Sequence, residues 1–411
     1  VGDIKPMEFP ISFFLDYAWN PEKIGADDLQ RYCREWSIAQ FGKKHVVEIA
    51  DIISKYSKYN GRRKPELLDA NTYSLQNYNE AERVTADYNK LLVRAEKVNN
   101  EVPAEYRDAF FQLVLHPVKA SANLQDMYTN IAWNHFYASQ KNILANKYAD
   151  RAKQLYINDS LISLQYNKEI AGGKWNHMMD QTHIGYTYWQ QPFRSRMPEV
   201  KYVLADSVGV TQAAFITVDT MSKSGLHLIP KGTKRNVFYE KDGYVSIEAM
   251  HFTRALNTNG ISWKILADHG RTASAVTPFP VTATTQTITA NSPHLEYDVY
   301  LYSKDSAKLE LYFSPTLNFH NTPEGLQYGI SIDQEKLQVI SLNKEDNNVR
   351  TWERWVANNI IIKTSGHYIT KPGKHTIKFW MINSGVMLQK LVLDMGGVKQ
   401  SYLGPPETMT K

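Results

Sequence analysis

The sequence predicts an antiparallel bundle of helices followed by an antiparallel β-sandwich, and three observations predict it. Up to about residue 200 the apolar residues recur at helical spacing. Beyond Met197-Pro198 they alternate with polar residues in short β-branched runs. Glycine, proline and asparagine punctuate both parts where elements should stop.

In the first part, 26–41 and 44–59 carry apolar residues such as Val46, Ile49, Ile53 and Tyr56 on one helical face, with Gly42 and Gly61 as stop signals. Residues 78–98 repeat the pattern. Pro103 opens 104–140, where Phe111, Val114, Leu115 and Val118 line one face and Pro117 should bend the helix. A last helix, 144–169, is closed by Gly172 and Gly173. Short connections between helices imply antiparallel neighbours, about five in all. In the second part, 244–247, 295–302, 308–313, 326–332 and 376–382 read as strands of a sandwich. The expected organisation is a short N-terminal piece at 1–20, a helical domain at 21–200 and a sandwich at 201–411. A loose junction there would let a protease cut between Arg194 and Lys201.

Composition narrows the function classes. The net charge of +5 is spread along the chain rather than gathered into a stripe, so nucleic acid is not an expected partner. Cys33 is the only cysteine, which excludes an intrachain disulfide and a cysteine zinc cluster. No apolar run reaches the roughly 20 residues of a membrane span. There is no G-x-S-x-G elbow, no phosphate-binding loop and no dinucleotide fingerprint, and no cofactor is expected. The 25 tyrosines and 9 tryptophans suit either stacking on sugars or a large interface.

Three places carry candidate functional residues. The opening VGDIKPMEFP reads as the end of a strand and a loop bearing Asp3, Lys5 and Glu8, where a barrel enzyme sets its carboxylates; the blander reading is a capped turn. The aromatic stretch 9–19 after it needs a partner surface. The segment GGKWNHMMDQTHIGYTYWQQP (172–192) fits neither periodicity and gathers Trp175, His177, Asp180, His183, Tyr186 and Trp189. His177, Asp180 and His183 have metal-ligand chemistry but not a zinc spacing, so no metal is expected. The segment is expected to be an ordered loop at a seam, anchored by Trp175 and Trp189 with its histidines hydrogen-bonded inside it; a plug of the bundle's own core is the alternative. The basic turn Asn60-Gly61-Arg62-Arg63-Lys64 could receive an acidic polysaccharide or be merely solvated. Trp263, Trp352, Trp355, Tyr368 and Trp380 could stack on sugars or fill the sandwich.

These stretches, with YNGRRKPELL, RDAFFQLVLHPVKA, TLNF, GLQYGISID and GVMLQKLVLDMGGVKQSYLGPPET, resemble the C-terminal part of family 115 glycoside hydrolases. These are α-glucuronidases that remove glucuronic or 4-O-methylglucuronic acid from xylan. The resemblance covers essentially the whole chain. It implies that a catalytic barrel precedes the bundle, with only a remnant of its last strand here, and that the inverting acid and base lie in that barrel. Catalytic residues are then expected outside this sequence, leaving Asp3, Lys5 and Glu8 as a rim. The implied partners are the barrel of the same protein, glucuronoxylan or a related glycan, and a second protomer. Secretion or a bacterial periplasm follows from a polymeric substrate. A stand-alone carbohydrate-binding or assembly module is the alternative.

Overall fold

The computed structural model describes residues 8–186, 191–204, 237–258 and 260–408. The chain divides into two compact units, Val1–Val218 and Asp219–Lys411, each considered by itself.

The first unit is helical. Helix α1 (Glu8–Trp19) is apolar on every side, and none of its residues is buried. It rests on α2 (Leu29–Phe41) through Phe9, edge-on to Trp36 at 5.2 Å, and Phe13, edge-on to Tyr32 at 5.2 Å. Helix α2 stops at Gly42, whose φ of 75° is the left-handed turn expected of a terminal glycine. Helix α3 (Val46–Asn60) buries Ile49, Ile52 and Ile53. Helix α4 (Glu80–Glu101) buries Val84, Tyr88, Leu91, Ala95 and Val98, one stripe at helical spacing. Each such aliphatic side chain contributes about 1.5–3 kcal/mol through burial.

Helix α5 (Arg107–Phe110) runs through a π-helical turn, Phe111–Leu115, into α6 (His116–Ser139). The expected bend at Pro117 takes this form: proline has no N–H for the turn before it, and the wider turn absorbs the mismatch. Helix α7 (Leu144–Leu164) ends likewise in a π-helical turn, Gln165–Glu169, before Ala171, Gly172 and Gly173 reverse the chain at positive φ.

After Gly172 the described residues up to 186 and from 191 to 204 lie over the bundle as a strap, held by a backbone bond and several side chains. Arg196 N–H donates to Ile184 O at 3.0 Å. Tyr156 donates to Ser195 O at 2.8 Å, and His135 to Glu199 O at 2.9 Å. Asn134 of α6 pairs with both the N–H and the carbonyl of Lys201, at 2.9 and 2.8 Å, and Asn146 of α7 does the same for Val203, at 2.8 and 3.0 Å. The two amides imitate a neighbouring strand. The window from Arg194 to Lys201, which a loose junction would open to proteases, is tied down at Ser195, Arg196, Glu199 and Lys201. Trypsin should leave the bond after Lys201 intact in the native protein and cut it in Asn134→Ala; rapid native cleavage there, read by mass spectrometry, would contradict the strap.

The second unit is a sandwich whose strands are β1 (Val237–Tyr239), β2 (Tyr244–Glu248), β3 (Arg254–Leu256), β4 (Ser262–Leu266), β5 (Ala275–Phe279), β6 (His294–Leu301), β7 (Asp305–Phe313), β8 (Gln327–Ile332), β9 (Gln338–Ser341), β10 (Ile361–Ile369), β11 (Gly373–Met381) and β12 (Leu388–Asp394). A helix, α8 (Val349–Asn358), lies between β9 and β10. The first sheet has the order β1-β6-β11-β8-β9 with β3 beside β6, and the second β10-β7-β12-β5-β4 with β2 beside β12. Pairing among the described strands is antiparallel except for β1 with β6. Alternation does what the sequence implies: Leu295, Tyr297, Val299 and Leu301 of β6 face Leu309, Leu311 and Phe313 of β7 and Leu391 and Leu393 of β12 in one core. Tyr297, fully buried, donates to Ala249 O at 2.8 Å.

Candidate functional site

Of the expected rim, Asp3 and Lys5 lie outside the described residues. Glu8 is not in a loop after a strand but is the exposed first residue of α1. Pro10 is accommodated because in the first turn of a helix its missing N–H costs nothing. Glu8 has a neighbour in Tyr166, whose phenol is pushed up by burial, lowered by its hydrogen bond with Gln112 and raised again by the Glu8 charge. Gln112 and Tyr166 sit in the two π-helical turns, so both local widenings of the helices lie at this end of the bundle.

The loop after Gly172 is built onto the same end. Trp175 is half-buried against the core of α2, α3 and α4, with Lys174 Nζ 4.9 Å above its ring. Asn167 is the tether: its amide donates to Asp180 Oδ1 at 2.7 Å while its carbonyl accepts from Met179 N–H at 2.9 Å. His177 Nδ1 donates to the other Asp180 oxygen at 2.6 Å, and both groups are exposed. Met179 and Ile184 are buried in the bundle. Tyr186 is partly buried, and Trp189 lies outside the described residues.

His177, Asp180 and His183 do not converge. His183 turns inward, away from the loop, and meets Asp159 of α7 at 2.9 Å, both side chains being more than nine-tenths buried. Its other nitrogen faces Gln181 O at 3.1 Å, a contact within the loop. Among the described residues no group of three or more histidine, cysteine or carboxylate side chains is placed to hold a metal ion. Below His183 lies His116 at the start of α6, fully buried, edge-on to Tyr166 at 4.7 Å, with neither ring nitrogen hydrogen-bonded. Burial, then the nearby His183 and Lys119, push its pKa down to about 3. Asp159, Asn167 and His116 were not singled out in the sequence, because their partners come from distant segments and no local spacing marks them.

The other candidates divide. Arg62 of the basic turn is neither solvated nor available to a polysaccharide: it is buried, bonded to Asp87 at 2.7 Å and stacked 4.3 Å over Tyr59. Arg63 donates to Leu67 O at 3.0 Å. In the sandwich Trp263, Trp355 and Trp380 are covered, the commoner fate of strand tryptophans, whereas Trp352 and Tyr368 are half-exposed or more.

Residues 237–407 match the model of the glycosyl hydrolase family 115 C-terminal domain, and residues 1–67 match that of glycosyl hydrolase family 115. The fold is similar to that of a family 115 4-O-methyl-α-glucuronidase with specificity for decorated arabinogalactans, at a TM-score of 0.64 and 18% identity over 96% of this chain. The chain spans 45% of the length of that enzyme. A family 35 carbohydrate-binding module from Clostridium thermocellum overlaps 36% of this chain and 96% of its own, at 11% identity and a TM-score of 0.25, which carries no argument. No curated protein matches the chain in sequence.

Proposed function

The chain belongs to glycoside hydrolase family 115, as part of its C-terminal region, and from that premise we propose that it is the helical and sandwich support of an enzyme that removes glucuronic or 4-O-methylglucuronic acid from a polysaccharide. The observation that carries this reading is α1. Within the segment matched by the family 115 model, its free side presents Ile11, Phe14, Leu15 and Trp19, between 52% and 91% exposed. A helix that is apolar all round is made to be covered on both sides. One side lies on α2; the catalytic domain of the same polypeptide is the occupant proposed for the other, with a second protomer as the competing one. Glucuronoxylan and decorated arabinogalactan are the substrates to test, since both carry uronic acid on a neutral backbone. Cleavage with inversion needs an acid and a base roughly 6.5–9.5 Å apart. We place that pair in the catalytic domain rather than in these two units. A polymeric substrate favours action outside the cytoplasm, and no described helix is long and apolar enough to cross a membrane.

The 411-residue chain alone should release no glucuronic acid from either polymer at concentrations where a polypeptide extended by the family's catalytic domain is active. In that longer protein Phe14→Asp should lower activity and melting temperature together. Turnover by the 411-residue chain, abolished by a point change within it, would overturn the reading.

A further inference from the structure

The outer face of the first sheet carries charge in register. Lys378 of β11 stands opposite Glu296 of β6 and Ser331 of β8, and Trp380 opposite His294 and Gly329. Lys378, Ser331 and Trp380 line an open cleft of about 380 Å³ together with residues 288–290 and with Asp333, Gln334, Glu335 and Leu337. Its size is within the range of small-ligand sites.

Lys378 is the cation of this cleft. Some sandwich lysines have a carboxylate in close contact, such as Lys308 with Glu310 at 2.8 Å, Lys363 with Glu345 at 2.6 Å, Lys374 with Asp298 at 2.8 Å and Lys390 with Glu248 at 3.1 Å. Lys378 is 4.0 Å from Glu296, and that carboxylate is already taken, one oxygen by Arg254 and the other by His294 at 3.1 Å. The acids of the wall are engaged too. Asp333 accepts from His375 at 2.7 Å and Thr376 N–H at 2.9 Å, and Glu335 accepts from Ile332 N–H at 2.7 Å and from His367. The Lys378 side chain is about one-quarter exposed, its Nζ lies 5.9 Å from the centre of the Trp380 ring, and its three N–H donors have no hydrogen-bonded acceptor among the described residues.

The rest of the cleft suits one kind of anion. Ser331 accepts from Trp380 Nε1 at 3.2 Å, which leaves its own O–H to donate. Trp380, held from below by His294 at 4.1 Å, joins Leu337 in an apolar wall, and Gln334 is exposed at the rim. A cation, a hydroxyl donor, an amide and an apolar wall together match a sugar ring that bears a carboxylate. We propose that this cleft binds a uronic-acid residue of a polysaccharide, with Lys378 taking the carboxylate. The choice of a uronate over another anion rests on the proposed function above.

The test is native gel electrophoresis of the 411-residue chain in glucuronoxylan and in the same polymer with its uronates reduced to neutral sugars. Glucuronoxylan should retard the protein and the reduced polymer should not. Lys378→Met should weaken retardation about tenfold, the loss of a charged hydrogen bond. Lys378→Arg should keep most of it, and Lys308→Met on the other sheet should change nothing. Gln334→Ala, at an exposed position, should weaken binding without touching the fold and stands in if Lys378→Met fails to fold. No retardation of the native chain, equal retardation by both polymers, or a Lys378→Met protein that binds normally overturns the cleft. Each of those outcomes leaves cleavage by the longer polypeptide untouched, and failure of that cleavage leaves the binding result standing.

Discussion

Replacing His183 with leucine should cost the helical unit about 3–5 kcal/mol, because it strands the Asp159 carboxylate inside the protein. Asp159 is 6% exposed and His183 is its partner among the described residues. The carboxylate cannot recover water without opening the packing between α7 and the strap. Asp159→Asn should be far milder, about 1 kcal/mol, since the amide oxygen still accepts from the ring N–H. The double change His183→Leu with Asp159→Leu should be less damaging than His183→Leu alone, because it removes the stranded charge along with its partner. Urea unfolding followed by helical circular dichroism measures all three. If His183→Leu proves nearly neutral, or the double variant costs the sum of two large penalties, the pair is not what fastens the loop to the bundle.

That pair also shows where sequence reading stops. The bundle and the sandwich were legible because their signals are local and repeated: the Val84 to Val98 stripe, the glycines at 42, 172 and 173, and the alternation along β6 and β7. Helix α1 was not legible, because EFPISFFLDYAW has no polar face to set a period and its Pro10 reads as a breaker. The loop after Gly172 was legible as something unusual but not in its wiring. His177 and Asp180 are three residues apart and do pair, whereas His183 reaches back 24 residues to Asp159. Asn134 and Asn146 look like ordinary helix residues until the strap arrives beside them. The cleft over Lys378 was invisible for a related reason: the carboxylates around it are taken by Arg254, His294, His367 and His375, which come from four separate strands.

The second large effect expected concerns acid. His116 has an ordinary pKa of 6.5 in the unfolded chain and about 3 in the folded one. Its folded pKa is depressed, so the sign is fixed: above about 6.5 neither state is protonated and there is no penalty. As the pH falls below that value the unfolded chain takes up a proton that the folded protein refuses until about pH 3, and the folded state loses stability throughout that window. At pH 4 the loss from this one group is on the order of 3 kcal/mol, at 1.36 kcal/mol per unit. His116→Leu removes the titration and also removes two buried nitrogens that have no hydrogen bond. Stability near pH 7 should therefore hold or rise slightly, and the fall in melting temperature between pH 6.5 and 4 should flatten. Lys119→Met is the companion variant: the positive charge of Lys119 helps to keep the ring neutral, so removing it should soften the acid loss without abolishing it. A His116→Leu protein whose melting temperature falls with pH as steeply as the native chain's would show that this histidine is not the acid-sensitive group of the bundle.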